Sequence, residues 1–238
     1  MKKLIFVSLI MGFLSFPMLV LSEDNVPDFR QFKDIKQKKM AFFEFMLPHI
    51  QKANADIKKT RAFLKGLSPR ELIEQKSQLI SLARYYRVPY KDQSLPALRK
   101  KLLNKVDVIP VSLALAQAAN ESAWGTSRFA RKASNYFGQW CLIKGCGLVP
   151  ARRKSGETHE VRKFDSAYES VKSYMHHLNA QPLYKKMREI RLQQKLKHQR
   201  VKGLDLVEGL EFYSARKFDY IKELSSMIRI NQLDKYDL

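Results

Sequence analysis

Between Val111 and Trp124 this chain carries one charged side chain, Glu121. The other residues of that stretch are apolar, small or amide-bearing. Pro110 opens it and Gly125 closes it at the position expected after a last helical turn. The segment reads as a buried helix, so the rest of the chain must fold around it. A lone carboxyl at the end of such a helix is costly unless something uses it. Trp124 lies three residues on and Gln117 four residues back, on the same helix face. Tyr136 and Phe137 follow after one short helix. Burial beside rings destabilises the ionised form and holds a carboxyl proton near neutral pH. An acid so placed can protonate a leaving-group oxygen, the first step of glycoside cleavage. A buried salt bridge between Glu121 and one of the many arginines explains the local sequence equally well.

Helical signals dominate elsewhere. Phe29 to Leu64 carries apolar residues close to helical spacing, with Pro48 marking a break or kink and Gly66 the end. Ser68-Pro69-Arg70-Glu71 reads as a capping box ahead of a helix reaching about Tyr86. Ser94 caps a short basic helix to about Lys105, and Thr126 or Ser127 caps Arg128 to Ala133. The pattern then changes. Leu148 to Arg153 and Glu160 to Phe164 flank Lys154-Ser155-Gly156-Glu157-Thr158, the pattern of a β-hairpin or small β-lobe. Ser166-Ala167-Tyr168-Glu169 and Asp205-Leu206-Val207-Glu208 read as two further capping boxes. A strongly basic helix follows Pro182. A last helix, from about Lys217 to Ile230, is expected to bury Phe218, Ile221, Leu224 and Ile228. The fold class is mainly α with a small β insertion.

The chain opens Met1-Lys2-Lys3, runs apolar from Leu4 to Leu21, and turns acidic at Glu23-Asp24. This is the order of a cleavable secretory signal over 1–22; Pro17 and the short apolar length argue against a spanning helix, and an uncleaved anchor is the alternative reading. The expected location is periplasmic or extracellular. Cleavage removes Lys2 and Lys3 and takes the net charge from +21 to +19. An exported protein this basic is drawn to polyanions such as cell-wall polymers or an anionic envelope surface. The leader speaks against nucleic acid, and no tight membrane insertion is expected after its removal. Cys141 and Cys146, five positions apart, read as a local disulfide in an oxidising compartment. The histidines show no ligand pattern, and neither a metal nor a cofactor is expected. The run from Lys185 to Lys202, eight lysines and arginines against Glu189 alone, reads as a solvated face or as a contact to an anionic wall or membrane surface.

Ala116-Gln117-Ala118-Ala119-Asn120-Glu121-Ser122-Ala123-Trp124-Gly125-Thr126-Ser127, followed by Asn135-Tyr136-Phe137-Gly138, closely resembles the signature of glycoside hydrolase family 73. Near the C-terminus, Tyr213-Ser214-Ala215-Arg216 with Tyr220 resembles a third motif of that family. An N-terminal element, Ile35 to Phe43, is similar to that of some members. The family comprises peptidoglycan-cleaving β-N-acetylglucosaminidases with a lysozyme-like α fold. The resemblance therefore implies a lysozyme-like α+β fold with a small β-hairpin lobe and an N-terminal helical extension. It divides the chain into 1–22, the extension 23–95 and a glucosaminidase domain 96–238.

The resemblance places Glu121 on the family's catalytic general acid and Tyr213 on the tyrosine lining the cleft near the scissile bond. Asn135, Phe137 and Gly138 fall on the opposite wall, and Gln117 and Tyr220 are carried as substrate-binding candidates. Trp124 is expected to pack behind the acid. The family often has a second carboxylate on the strand before the hairpin turn. Here Leu148 to Arg153 has no acid, so Glu160, and after it Glu157, are the candidates. If neither reaches the cleft, the substrate's own acetamido oxygen is the expected nucleophile. The expected partner is the peptidoglycan glycan strand. The competing readings are a lytic transglycosylase on the same frame and a non-catalytic wall-binding protein.

Overall fold

The computed structural model describes residues 26–237, with the exception of residue 152. The leader 1–22 lies outside the described residues. Among them, ten α-helices run in chain order: α1 Ile35–Gly66, α2 Pro69–Glu74, α3 Lys76–Tyr85, α4 Leu95–Lys105, α5 Val111–Ser122, α6 Arg128–Ala133, α7 Ala167–Ala180, α8 Lys185–Leu196, α9 Gly203–Leu206 and α10 Phe218–Ile230. Three short strands, β1 Trp140–Cys141, β2 Gly147–Leu148 and β3 Glu160–Arg162, form an antiparallel sheet in the order β1-β3-β2. The fold is mainly α, of the α+β kind. No helix among the described residues is long and apolar enough to cross a membrane.

Local rules set most helix starts. Asp34, Ser68, Ser94, Ser127 and Ser166 each accept a bond from the backbone amide three residues on, which satisfies a donor the helix leaves unpaired. At Ser68 the box is reciprocal with Glu71. Pro48 lies inside α1 without ending it. The helix expected to reach Tyr86 is divided at Gln75 into α2 and α3. Asp205 caps nothing: α9 begins before it, and its carboxylate accepts from Gln194 Nε2 at 2.5 Å. Phe218, expected inside, is 66% exposed at the first position of α10, where Tyr220 is buried instead.

Helix α5 is the hub. It packs on α1, α9, α10 and the turn Leu233–Tyr236, and its residues from Ser112 to Ala119 are fully buried. Ala and Ser let neighbouring helices approach closely along it. At its start, Asp237 accepts from the Ser112 amide (2.8 Å), the Ser112 hydroxyl (2.6 Å) and the Gly203 amide (2.8 Å). At its far end the chain turns left-handed for three residues, Ala123, Trp124 and Gly125. The helix thus ends at Ser122, two residues short of Trp124, the residue before the expected closing glycine. Gly125 is required there. Its φ is +74°, and a Cβ would come within 2.3 Å of the Phe29 ring.

Two apolar clusters form. The larger joins Phe42, Phe43, Met46 and Ile50 of α1 to α5, α7 and α10. The smaller runs from Leu64 to Val106 through α2, α3 and α4. Both cross residue 95, because α1 is long enough to serve both cores. They are tied together by cations of the basic run. Arg191, 1% exposed, donates to the carbonyls of Asn104, Asp107 and Val108 and to Asn179 Oδ1. Arg188 donates to the carbonyls of Leu178 and Gln181, and Lys195 to the Asp107 carboxylate. Part of the run read as a solvated face is therefore internal.

Candidate active site

Glu121 occupies the last turn of α5, partly buried. Burial is the main cause that raises its pKa. A hydrogen bond from Tyr220 and the charge of Arg216 oppose the shift, and Glu223 adds to it. The guanidinium of Arg216 does not pair with Glu121, since it is held by Glu223 at 2.7 Å. That removes the salt-bridge reading of the acid as its principal environment.

A chain of bonds leads to the carboxyl from the core. Tyr174 on α7 donates to Gln117 Oε1 at 2.6 Å, and Gln117 Nε2 donates to the Tyr220 hydroxyl at 2.9 Å. Tyr220 in turn bonds Glu121. Gln117 and Tyr220 are both fully buried. They orient the acid from behind, and neither offers a free polar atom to a ligand. Helix spacing makes this possible: Gln117 and Glu121 are one turn apart on α5. Burial also raises the phenol pKa values of Tyr174, Tyr184, Tyr213 and Tyr220, and the Glu121 charge adds to each. Four neutral tyrosines therefore surround one carboxyl.

The facing wall is residues 135–139. Asn135 is buried and shapes it, donating to the carbonyls of Gln139 (2.9 Å) and Arg162 (2.8 Å) and accepting from the amides of Phe137 and Gln139. Phe137 is buried and stacked on Tyr174, centroids 3.9 Å apart. Gly138 is the exposed residue of the wall. With φ +64°, it presents its bare Cα to the acid: a Cβ there would meet Glu121 Oε2 at 3.6 Å. Tyr213 donates to the Phe137 carbonyl at 3.2 Å and stacks on Tyr220, 5.5 Å between centroids. It thus links the C-terminal segment to this wall. Trp124 packs edge-on against Phe42 and Phe43, at 5.9 and 5.3 Å.

Cys141 and Cys146 form a disulfide. Glu160 lies beside it, 5% exposed, accepting from the Gly145 amide at 3.0 Å and the Gly147 amide at 2.8 Å. These amides hold its pKa below the usual carboxylate range. Glu157 stays in the turn, accepting from the Lys154 amide. The carboxylate that acts on the Glu121 proton, raising its pKa, is Glu223. Glu223 had no sequence signature, because its place beside the acid depends on how α10 crosses α5. Tyr174 and Tyr184 were equally silent.

A family model described as mannosyl-glycoprotein endo-beta-N-acetylglucosaminidase matches residues 96–233. The chain belongs to the glucosaminidase family. As a glucosaminidase it is a glycoside hydrolase. It is similar to Protein bax of Escherichia coli (strain K12), 31% identical over 210 residues, 87% of this chain and 75% of the relative. No solved structure gives a significant match.

Proposed function

We propose that this glucosaminidase is an exported endo-β-N-acetylglucosaminidase that hydrolyses peptidoglycan glycan strands, with Glu121 as its single carboxyl general acid. One observation carries the reading. The only charged residue of the central helix is a desolvated carboxyl whose pKa is raised, bonded by Tyr220 and facing a wall with no side chain in the way at Gly138. A protonated carboxyl at that place transfers its proton to the glycosidic oxygen as the bond to the sugar breaks. The basic surface and the leader sequence support an anionic envelope polymer as the substrate.

Glu160, the better-placed β-lobe candidate for the second group of a two-carboxylate mechanism, has both oxygens occupied by backbone amides, and Glu157 stays in the turn. We read Glu160 as the brace of the disulfide loop. The acetamido oxygen of the substrate then serves as nucleophile, with the Tyr213 phenol beside the developing charge.

Fragment analysis of digested peptidoglycan tests the proposal. Reducing-end N-acetylglucosamine is expected, with Glu121→Gln slower by about 10²–10⁴. Anhydro-muramic ends would replace it with a lytic transglycosylase, and an absence of product with a wall-binding protein. Glu160→Gln is expected to keep most activity. A loss as deep as that of Glu121→Gln would rule out the acetamido route.

A further inference from the structure

Trp140 is one of two tryptophans in the chain and is 65% exposed. The indole is not loose. One face lies flat on the His159 imidazole, 4.0 Å between centroids and 16° from parallel. The His159 side chain beneath is only 13% exposed, so indole is the outer leaf of the stack. The backbone of Trp140 is paired with Val161 in the sheet, and Cys141 is tied to Cys146. Glu160 clamps the other end of that loop through the Gly145 and Gly147 amides. On the N-terminal side, Gln139 is fixed by Asn135. A large apolar ring is thus held rigid with one face open to water, an arrangement that burial alone would not select.

Its position relative to the acid is bounded by the chain. A Cβ on Gly138 would be 3.6 Å from Glu121 Oε2, and Trp140 is two residues further. Its Cα therefore lies within about 12 Å of the carboxyl, the reach of two or three sugar rings. The apolar face of a pyranose packs on an indole face, with its hydroxyl and acetamido groups pointing away to water and protein.

We propose that Trp140, backed by His159, is a binding platform for an N-acetylhexosamine ring of the glycan strand, beside the bond that Glu121 cleaves. This rests on the glucosaminidase reading of the Glu121 cleft. It assigns the β-lobe a role in substrate affinity, and gives the disulfide and Glu160 a purpose: they hold the platform still.

The test uses the full chain carrying Glu121→Gln, so that the sugar is bound and not consumed, with the tetramer of N-acetylglucosamine as probe. Titration is expected to shift tryptophan emission saturably, since Trp124 is packed behind Phe42 and Phe43. Adding Trp140→Ala is expected to weaken binding, read by calorimetry, about tenfold, while Trp140→Tyr keeps most of it. With Glu121 intact, Trp140→Ala is expected to raise KM on peptidoglycan and leave kcat nearly unchanged, as loss of uniform binding requires. Equal affinity and equal KM for Trp140→Ala and the parent would overturn the platform and leave the enzyme reading standing. No binding and no hydrolysis by the unsubstituted chain would overturn both. An emission shift on phosphatidylglycerol vesicles with none on the sugar would make Trp140, with exposed Leu142 and Ile143, a lipid contact and sink the proposal.

Discussion

A carboxyl that loses water on folding keeps its proton to higher pH, and Glu121 is such a group. Two consequences follow with defined signs. On the proposed role of Glu121 as general acid the protonated form acts, so kcat/KM is expected to fall as pH rises through its raised pKa, an alkaline limb absent from what little activity Glu121→Gln retains. For stability, a folded pKa above the unfolded value gives a contribution present below the unfolded pKa and lost as pH rises through the folded one. Melting temperatures across that window should therefore drop more steeply for the parent than for Glu121→Gln. Gly138→Ala tests the facing wall. It strains a left-handed residue and puts a methyl against Oε2, so activity should fall at least tenfold, with a destabilisation of about 1 kcal/mol. At this scale the sequence revealed the lone carboxyl of α5, because a single charge in an apolar helix stands out. It hid Glu223 and Tyr184, since their proximity to Glu121 is made by contacts between distant segments.

Element boundaries were legible wherever one side chain dictates them. The serine caps at 68, 94, 127 and 166 are local chemistry, readable without tertiary structure. The end of α5 was not, because the left-handed turn at Ala123 and Trp124 is fixed by packing against Phe29, Phe42 and Phe43. The basic helix was half-read, for Arg191 looks solvated until its carbonyl partners arrive from residues 104–108. Burial pushes that guanidinium down to about 10, and Asp107 is the carboxylate that offsets the cost. Asp107→Ala is expected to destabilise by about 3 kcal/mol in urea titration. For the β-lobe, reduction of Cys141–Cys146 should cost about 2 kcal/mol, because so short a loop constrains little chain entropy. Hydrogen exchange should quicken at 140–148 and stay unchanged in α5.

At the scale of the molecule, the mainly α class with a small β insertion was evident from patterning alone. The partition was less so. The matched family region begins at residue 96, yet Phe42, Phe43, Met46 and Ile50 from α1 are built into the same apolar cluster as α5. Each such side chain contributes about 2 kcal/mol of burial, so four together, about 8 kcal/mol, are comparable to the ~5–15 kcal/mol a domain holds in reserve after its entropy is met. A chain starting at residue 96 is accordingly expected to lack near-ultraviolet dichroism and to bind a hydrophobic dye. A cooperative melt from that fragment would show that the extension is dispensable.

The three bonds that Asp237 makes to Ser112 and Gly203 couple the segment after α10 to the beginning of the helix whose other extremity bears Glu121. Loss of that carboxylate, as in Asp237→Ala, would unfasten the helix at one end and is expected to shift Glu121 at the other while leaving every residue around it in place.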